Sequence, residues 1–243
     1  MDTVSATLLV QPDPDALARR AAELLIDCAE ESIRLRGRFR VALSGGGTPG
    51  LLYRLLAGPS YRDRVPWSLT EVYWGDERHL PAGDPGRNDS EVLPLLADAG
   101  VPASQIHTVP YVEGDASQAA AQYEQLLRKQ AQPGEPLLDL TILGLGTDGH
   151  TASLFPGTAP LDETERLVVP NYAAYEDRFP ERVTLTLPAI NACETVLFIV
   201  TGSSKRAILR RVLAGPESPP LPAQRVQPSS GRLFWLMDEA ARP

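Results

Sequence analysis

Short apolar runs alternate with amphipathic helical stretches along the whole chain, and no other feature restricts its fold as tightly. Residues 13–35 read as a long amphipathic helix, with Leu17, Leu24, Cys28 and Leu35 spaced along one face. Arg40, Val41, Ala42 and Leu43 form a short strand that runs into a glycine turn. Thr48 followed by Pro49 reads as an N-cap with proline at the first helical position, opening a helix through Ala57. Residues 71–74 make a second strand, followed by a polar loop over 75–89 and a helix from Ser90. A third amphipathic helix covers 115–130, and 138–143 is an apolar strand ending in a loop over 144–157. Strands at 183–187, 195–200 and 233–237 and a helix over 203–213 complete the series, with a Pro-rich surface loop over 216–228.

Strands separated by helices pair in parallel, because each crossover returns the chain to the same end of the sheet. The expected fold is therefore α/β: a single-domain, doubly wound, mostly parallel sheet (Rossmann-like) with helices on both faces. A length of 243 residues suits one such domain spanning residues 1–243, and neither a repeat nor a composition break marks a linker. Ligands in such sheets gather at the carboxyl ends of the strands, so the loops there are where chemistry is expected.

Composition narrows the function classes. Lys and Arg number 23 against 31 Asp and Glu, a formal net charge of −8. Such a field repels polyanions, so no nucleic-acid partner is expected, and an anionic ligand needs a local cationic cluster. Cys28 and Cys193 match no disulfide framework and no metal or redox spacing, which points to a reducing compartment. The first twelve residues lack the cationic and apolar regions of a signal peptide, and no apolar run approaches membrane-spanning length. A soluble cytoplasmic protein without a membrane partner is expected, and a monomer is favoured. Three histidines and two scattered cysteines make no metal set, so metal-free chemistry is expected.

Three loops carry the candidate chemistry. In Ser44-Gly45-Gly46-Gly47-Thr48-Pro49, glycines allow a close backbone approach, and the following helix aims its first N–H groups at whatever sits there, an anion site. A Walker A lysine is missing, which argues against a nucleoside triphosphate. Residues 42–46 nearly match the nucleophile elbow G-x-S-x-G, but no histidine follows position 150 to complete a triad in the usual order. In the second loop, Trp74-Gly75-Asp76-Glu77-Arg78-His79 continuing to Arg87-Asn88-Asp89, both Arg78 and Arg87 are able to grip a phosphate or carboxylate in a forked geometry.

The third loop, 144–156, contains Gly144, Gly146 and Gly149 in a G-x-G-x-x-G spacing. It is not a dinucleotide site, because Pro156 and Gly157 stop any helix within two turns. It does offer Asp148 two residues before His150. Imidazole titrates at about 6.5 when unperturbed and suits a general base, and a nearby carboxylate fixes its tautomer. His79 sits in a charged loop and His107 at a structural strand entry.

Together these loops resemble the 6-phosphogluconolactonase family. The resemblance rests on Ala42-Leu43-Ser44-Gly45-Gly46-Gly47-Thr48-Pro49 and on Trp74-Gly75-Asp76-Glu77-Arg78 with Asn88-Asp89-Ser90. It continues through Gly144-Leu145-Gly146-Thr147-Asp148-Gly149-His150-Thr151-Ala152-Ser153-Leu154-Phe155-Pro156, its most specific part. Arg182-Val183-Thr184-Leu185-Thr186 and Thr201-Gly202-Ser203-Ser204-Lys205 complete it, in the family's order.

The resemblance implies hydrolysis of 6-phospho-D-glucono-1,5-lactone to 6-phosphogluconate in the oxidative pentose phosphate pathway, without metal or organic cofactor. The related glucosamine-6-phosphate deaminases carry a glutamate five residues after the matching histidine; Phe155 stands there, which favours the lactonase. With the resemblance as guide, His150 is expected to be the general base and Asp148 its orienting partner. The phosphate is expected near Ser44, Gly45, Gly46, Gly47 and Thr48, with Arg182 and Lys205 as cationic partners. Arg78 faces either the phosphate or the lactone end. The alternatives are a deaminase- or isomerase-like enzyme and a non-catalytic sugar-phosphate sensor.

Overall fold

The most apolar strands of the chain are the ones with no exposed face. The computed structural model describes residues 5–174 and 179–243. In chain order the strands are β1 (Thr7–Gln11), β2 (Phe39–Leu43), β3 (Thr70–Trp74), β4 (Asp76–Arg78), β5 (Leu140–Leu143), β6 (Val168–Tyr172), β7 (Glu181–Leu185), β8 (Thr195–Val200) and β9 (Arg232–Asp238). The helices are α1 (Pro14–Arg36), α2 (Gly47–Ala57), α3 (Asn88–Ala99), α4 (Ala116–Gln130), α5 (Leu187–Asn191) and α6 (Arg206–Leu213).

Six strands form a parallel sheet in the order β1-β9-β8-β5-β2-β3. Every residue of β2, β5 and β8 is buried, as parallel strands covered on both sides require. Val41 sits opposite Val72 on one side and Leu140 on the other. The chain leaves β2 towards β3 on one side and later returns to β5 on the other. This reversal opens a crevice between the carboxyl ends of β2 and β5.

α1 starts where Asp13 accepts the Ala16 N–H at 2.7 Å and Pro14 takes the first helical position. It ends at Gly37, whose φ of 73° reverses the chain into β2. Leu17, Leu24 and Cys28 of its apolar stripe are buried, but Leu35 is 55% exposed. The last turn instead points Ser32 and Arg36 inward, where Arg36 pairs with buried Asp139 at 2.9 Å. Asp139 also accepts the Arg40 N–H at 2.7 Å, fastening β2 to β5 at the end opposite the crevice. Cys28 and Cys193 are buried and free.

Two features depart from the sequence reading. β1, not anticipated, adds an edge strand beside β9. The strand expected at 183–187 runs over Glu181–Leu185 and lies outside the main sheet, in a three-stranded antiparallel sheet ordered β4-β7-β6, with α4 against β6 and β7. Its outer members are hard to read: β4 has three residues, and Pro170 interrupts the apolar pattern of β6. Proline lacks an N–H, and β6 lies at the edge of its sheet, where that loss is tolerated. Among the described residues no helix is long and apolar enough to cross a membrane.

Candidate active site

Loops from the carboxyl ends of β2, β5 and β8, with residues of β4 and β7, surround an open cleft of about 240 Å³. The turn after β2 is set by its own helix: the Tyr53 hydroxyl of α2 accepts the Ser44 N–H at 3.0 Å and donates to the Ser44 carbonyl at 2.9 Å. Gly46, at φ 103°, is the N-cap of α2, and no side chain caps the helix. Thr48 is therefore not the cap that its sequence context suggests. It lies inside the first turn, and its Oγ1 is 2.6 Å from Thr201 Oγ1, tying α2 to the end of β8. First-turn N–H groups have no intrahelical partner, and here Gly47 and Thr48 line the cleft, so donors and helix dipole favour an anion. The Ser44 hydroxyl donates to the Gly45 carbonyl at 3.4 Å rather than to an imidazole, so it lacks the base of a nucleophile elbow.

β4 distributes three charged residues to three tasks. Asp76 is buried and accepts the Ser153 hydroxyl at 2.5 Å. Glu77 accepts the N–H groups of Arg78, Asn88 and Asp89 at 2.8, 2.6 and 2.9 Å, and so caps α3, which has no side-chain cap of its own. Burial pushes the Glu77 carboxyl up to about 7, against the pull of the Asn88 N–H. Arg78 lines the cleft, and its Nη1 donates to Asn88 Oδ1 at 2.6 Å and to the Gly86 carbonyl at 3.0 Å. Arg87 does not reach the cleft. It is buried, grips Asp89 through Nε and Nη2 at 2.8 and 2.6 Å, and donates to the Leu80 and Val109 carbonyls. Its forked geometry serves the fold.

The loop after β5 holds the imidazole. His150 Nδ1 is 2.6 Å from Asp148 Oδ1, and the His150 N–H donates to the same oxygen at 3.1 Å. Burial works to raise the Asp148 carboxyl, but the His150 hydrogen bond and charge outweigh it and hold it below its usual range. The Gly146 N–H donates to the His150 carbonyl at 2.8 Å, closing the loop on itself. The adjoining Ala152 has φ 47°, a left-handed backbone rare for a side-chain-bearing residue. It is held on both sides: Thr151 Oγ1 donates to the Gly144 carbonyl at 2.9 Å, and Ser153 binds Asp76 and Thr184. The Phe155 ring lies 4.3 Å from the His150 ring, and the Arg182 guanidinium lies 5.5 Å from the same phenyl ring.

Lys205 reaches the cleft from a 3-10 turn, Ser203–Lys205, that precedes α6. The turn is anchored by Gly202, whose N–H donates to both Asp238 oxygens at 3.0 and 3.1 Å. The cleft thus gathers Ser44, Gly45, Gly46, Gly47, Thr48, Arg78, His150, Arg182 and Lys205, with Asp148 against His150.

A family model described as glucosamine-6-phosphate isomerases/6-phosphogluconolactonase matches residues 12–235. The chain belongs to this family. It is 40% identical over 241 residues to a 6-phosphogluconolactonase of Nostoc sp. (strain PCC 7120), covering 97% of this chain and 96% of that protein. It is also 40% identical over 235 residues to the Homo sapiens 6-phosphogluconolactonase, covering 93% and 87%. The solved 6-phosphogluconolactonase from Trypanosoma cruzi superposes with a TM-score of 0.85 at 25% identity, over 99% of this chain and 97% of that one. These relatives carry the lactonase name rather than the isomerase one.

Some residues of the cleft were not singled out by the sequence. Asp76 and Asn88 line it from the second candidate loop, in which only the two arginines stood out as ligand-binding residues. The 216–228 loop is also more than surface: Leu221, Ala223 and Val226 are buried, and the Ala223 N–H donates to the Gly149 carbonyl at 3.1 Å, behind His150. The other two histidines have structural partners. His79 Nδ1 is 2.8 Å from Glu181 and its Nε2 accepts the Val112 N–H at 3.3 Å, while His107 Nε2 is 2.5 Å from Glu71 and its ring stacks on Tyr73.

Proposed function

We propose that this chain is a 6-phosphogluconolactonase, a carboxylic ester hydrolase that converts 6-phospho-D-glucono-1,5-lactone to 6-phospho-D-gluconate in the cytoplasm. The observation that carries this reading is the sharing of one cleft by a carboxylate-braced imidazole and by Arg78, Arg182, Lys205 and the start of α2. A phosphorylated ester needs both: a base for water and a cationic mooring for the phosphate.

In this reading the proton on His150 Nδ1 is directed at Asp148, which leaves the Nε2 lone pair as the base. Nε2 takes a proton from water as the water oxygen bonds to C1 and the carbonyl electrons move onto oxygen. The tetrahedral intermediate collapses with cleavage of the bond from C1 to the ring oxygen, and the imidazolium returns its proton to that leaving oxygen. The new carboxyl group then ionises to solvent. Water is the only co-reactant the balance requires. A base of this kind contributes about 10²–10⁴-fold. Arg182, Lys205 and the 44–48 turn hold the phosphate, whose binding energy aligns the ring.

Phe155 supports this chemistry over amino-sugar ring opening, since an uncharged ring lies against His150 at the place of the deaminases' glutamate. The test is to generate the lactone enzymatically and follow its decay against the spontaneous rate. Acceleration that His150→Ala abolishes, with no ammonia released from glucosamine 6-phosphate, is the expected result. Robust ammonia release, or wild-type turnover by the variant, overturns the reading.

A further inference from the structure

Three parts of the cleft meet at one buried amide. Asn88 is the first residue of α3 and is 4% exposed. Its Oδ1 accepts from Arg78 Nη1 at 2.6 Å, its Nδ2 donates to the Asp76 carbonyl at 2.9 Å, and its backbone N–H donates to Glu77 Oε1 at 2.6 Å. On its other side lies the glycine turn: a Cβ on Gly45 would fall 1.9 Å from Asn88 Oδ1 and 2.4 Å from its Cγ. Gly45 does not have the positive φ of Gly46, so space rather than backbone conformation demands glycine there.

The consequence falls on Arg78. Both hydrogen bonds of its guanidinium use Nη1, and Nε is buried without a hydrogen-bond partner among the described residues. Nη2 is not among the buried unpaired atoms and makes no hydrogen bond among the described residues, so it is the corner of the guanidinium left to bond an oxyanion. We infer that Asn88 is a positioning residue: its amide clamps Arg78 by Nη1 against the glycine turn, so that Nη2 is presented to an oxygen of a phosphorylated substrate. Asn88 also sets the distance between Arg78 and the start of α2, because it fills the space between them. The substrate's identity rests on the lactonase reading; the clamp itself does not.

The experiment has one arm free of substrate and one that uses it. In the first, the side-chain N–H signals of Arg78, assigned by their loss in Arg78→Lys, are followed by ¹⁵N NMR. Asn88→Ser keeps a residue suited to a helix start and removes the amide. It is expected to raise Arg78 Nη rotation and solvent exchange about tenfold or more, whereas Asn88→Asp, which keeps an acceptor for Nη1, restores the wild-type signal. Unchanged Arg78 signals in a folded Asn88→Ser variant overturn the clamp. In the second arm, Asn88→Ser and Arg78→Gln each weaken 6-phosphogluconate binding about tenfold, and the double variant loses no more than Arg78→Gln alone, since contacting residues are coupled. Losses that multiply overturn the proposal. A wild-type protein that binds neither lactone nor 6-phosphogluconate refutes the lactonase reading, and the NMR arm still decides the role of Asn88.

Discussion

Arg78 and Arg182 stand directly opposite each other across the antiparallel β4–β7 ladder, and both line the cleft. Residues paired in this way have Cβ atoms about 4.5–5.5 Å apart, and like charges so placed repel. A chain with a net charge of −8 has placed two cations where they disfavour each other, which is the arrangement an anionic ligand relieves.

The first prediction follows from that relief. Arg182→Gln is expected to raise KM for the lactone about 10–100-fold, the worth of a hydrogen bond to a charged group, with kcat nearly unchanged. The product 6-phosphogluconate should raise the Tm of the wild type and raise that of the variant far less. A fall in kcat at constant KM contradicts a mooring role.

His150 and Asp148 give the second. Asp148→Asn should lower kcat, because the amide's NH2 group can present a donor to Nδ1 and favour the wrong tautomer, and product affinity should stay close to wild type. The pair also has an acid signature. The folded Asp148 carboxyl is held below its ordinary value of 3.8, so the pairing stabilises the fold above that pH and is lost as pH falls through the lowered value. Denaturant melts from pH 5 down to pH 2 should show this acid-side loss in the wild type and a flatter profile in His150→Ala; equal profiles would refute the coupling.

The legible parts of this fold were those whose burial follows a simple period. β8 runs over Thr195–Val200 as its apolar run indicates, and α4 begins beside Asp115, whose carboxylate accepts the Gln118 N–H at 2.8 Å. The site loops after β2 and β5 were legible because in each a glycine-rich turn follows an apolar strand. What local pattern could not reveal is how buried charges divide their partners. Arg78 and Arg87 look equivalent in sequence, yet Asp89 sits two residues from Arg87 and neutralises it, while among the described residues Arg78 donates to an uncharged amide and a carbonyl. The cross-strand placement of Arg78 and Arg182 depends on an antiparallel register between segments about a hundred residues apart, a distance over which no periodicity speaks.

Glu77 supplies the third prediction. Its carboxyl accepts three N–H groups, and an amide in its place turns an NH2 towards one of them. Glu77→Gln should therefore cost about 1–3 kcal/mol at pH 5. The wild-type carboxyl is raised from 4.5 to about 7 in the folded chain, so its contribution is full below 4.5 and declines as pH rises through 7. The stability gap between wild type and variant should narrow from pH 5 to pH 8 in urea melts. A gap that widens over that range would show that the buried carboxylate is favoured in its charged form.

Gly146 and Gly144 separate two reasons for a glycine. A Cβ on Gly146 would lie 2.0 Å from His150 Nδ1 and 2.6 Å from Asp148 Oδ1, while one on Gly144 would meet nothing within 4 Å. Neither residue has a positive φ, so backbone strain is the same for both substitutions. Gly146→Ala must push the imidazole off its carboxylate or open the loop, and should lower kcat by about 10²-fold, the cost of a misplacement near 1 Å. Gly144→Ala should fold with wild-type stability. Crystal structures of the two variants would locate the His150 ring, and a Gly146→Ala protein with full activity and an unmoved ring would show that the dyad tolerates what its geometry forbids.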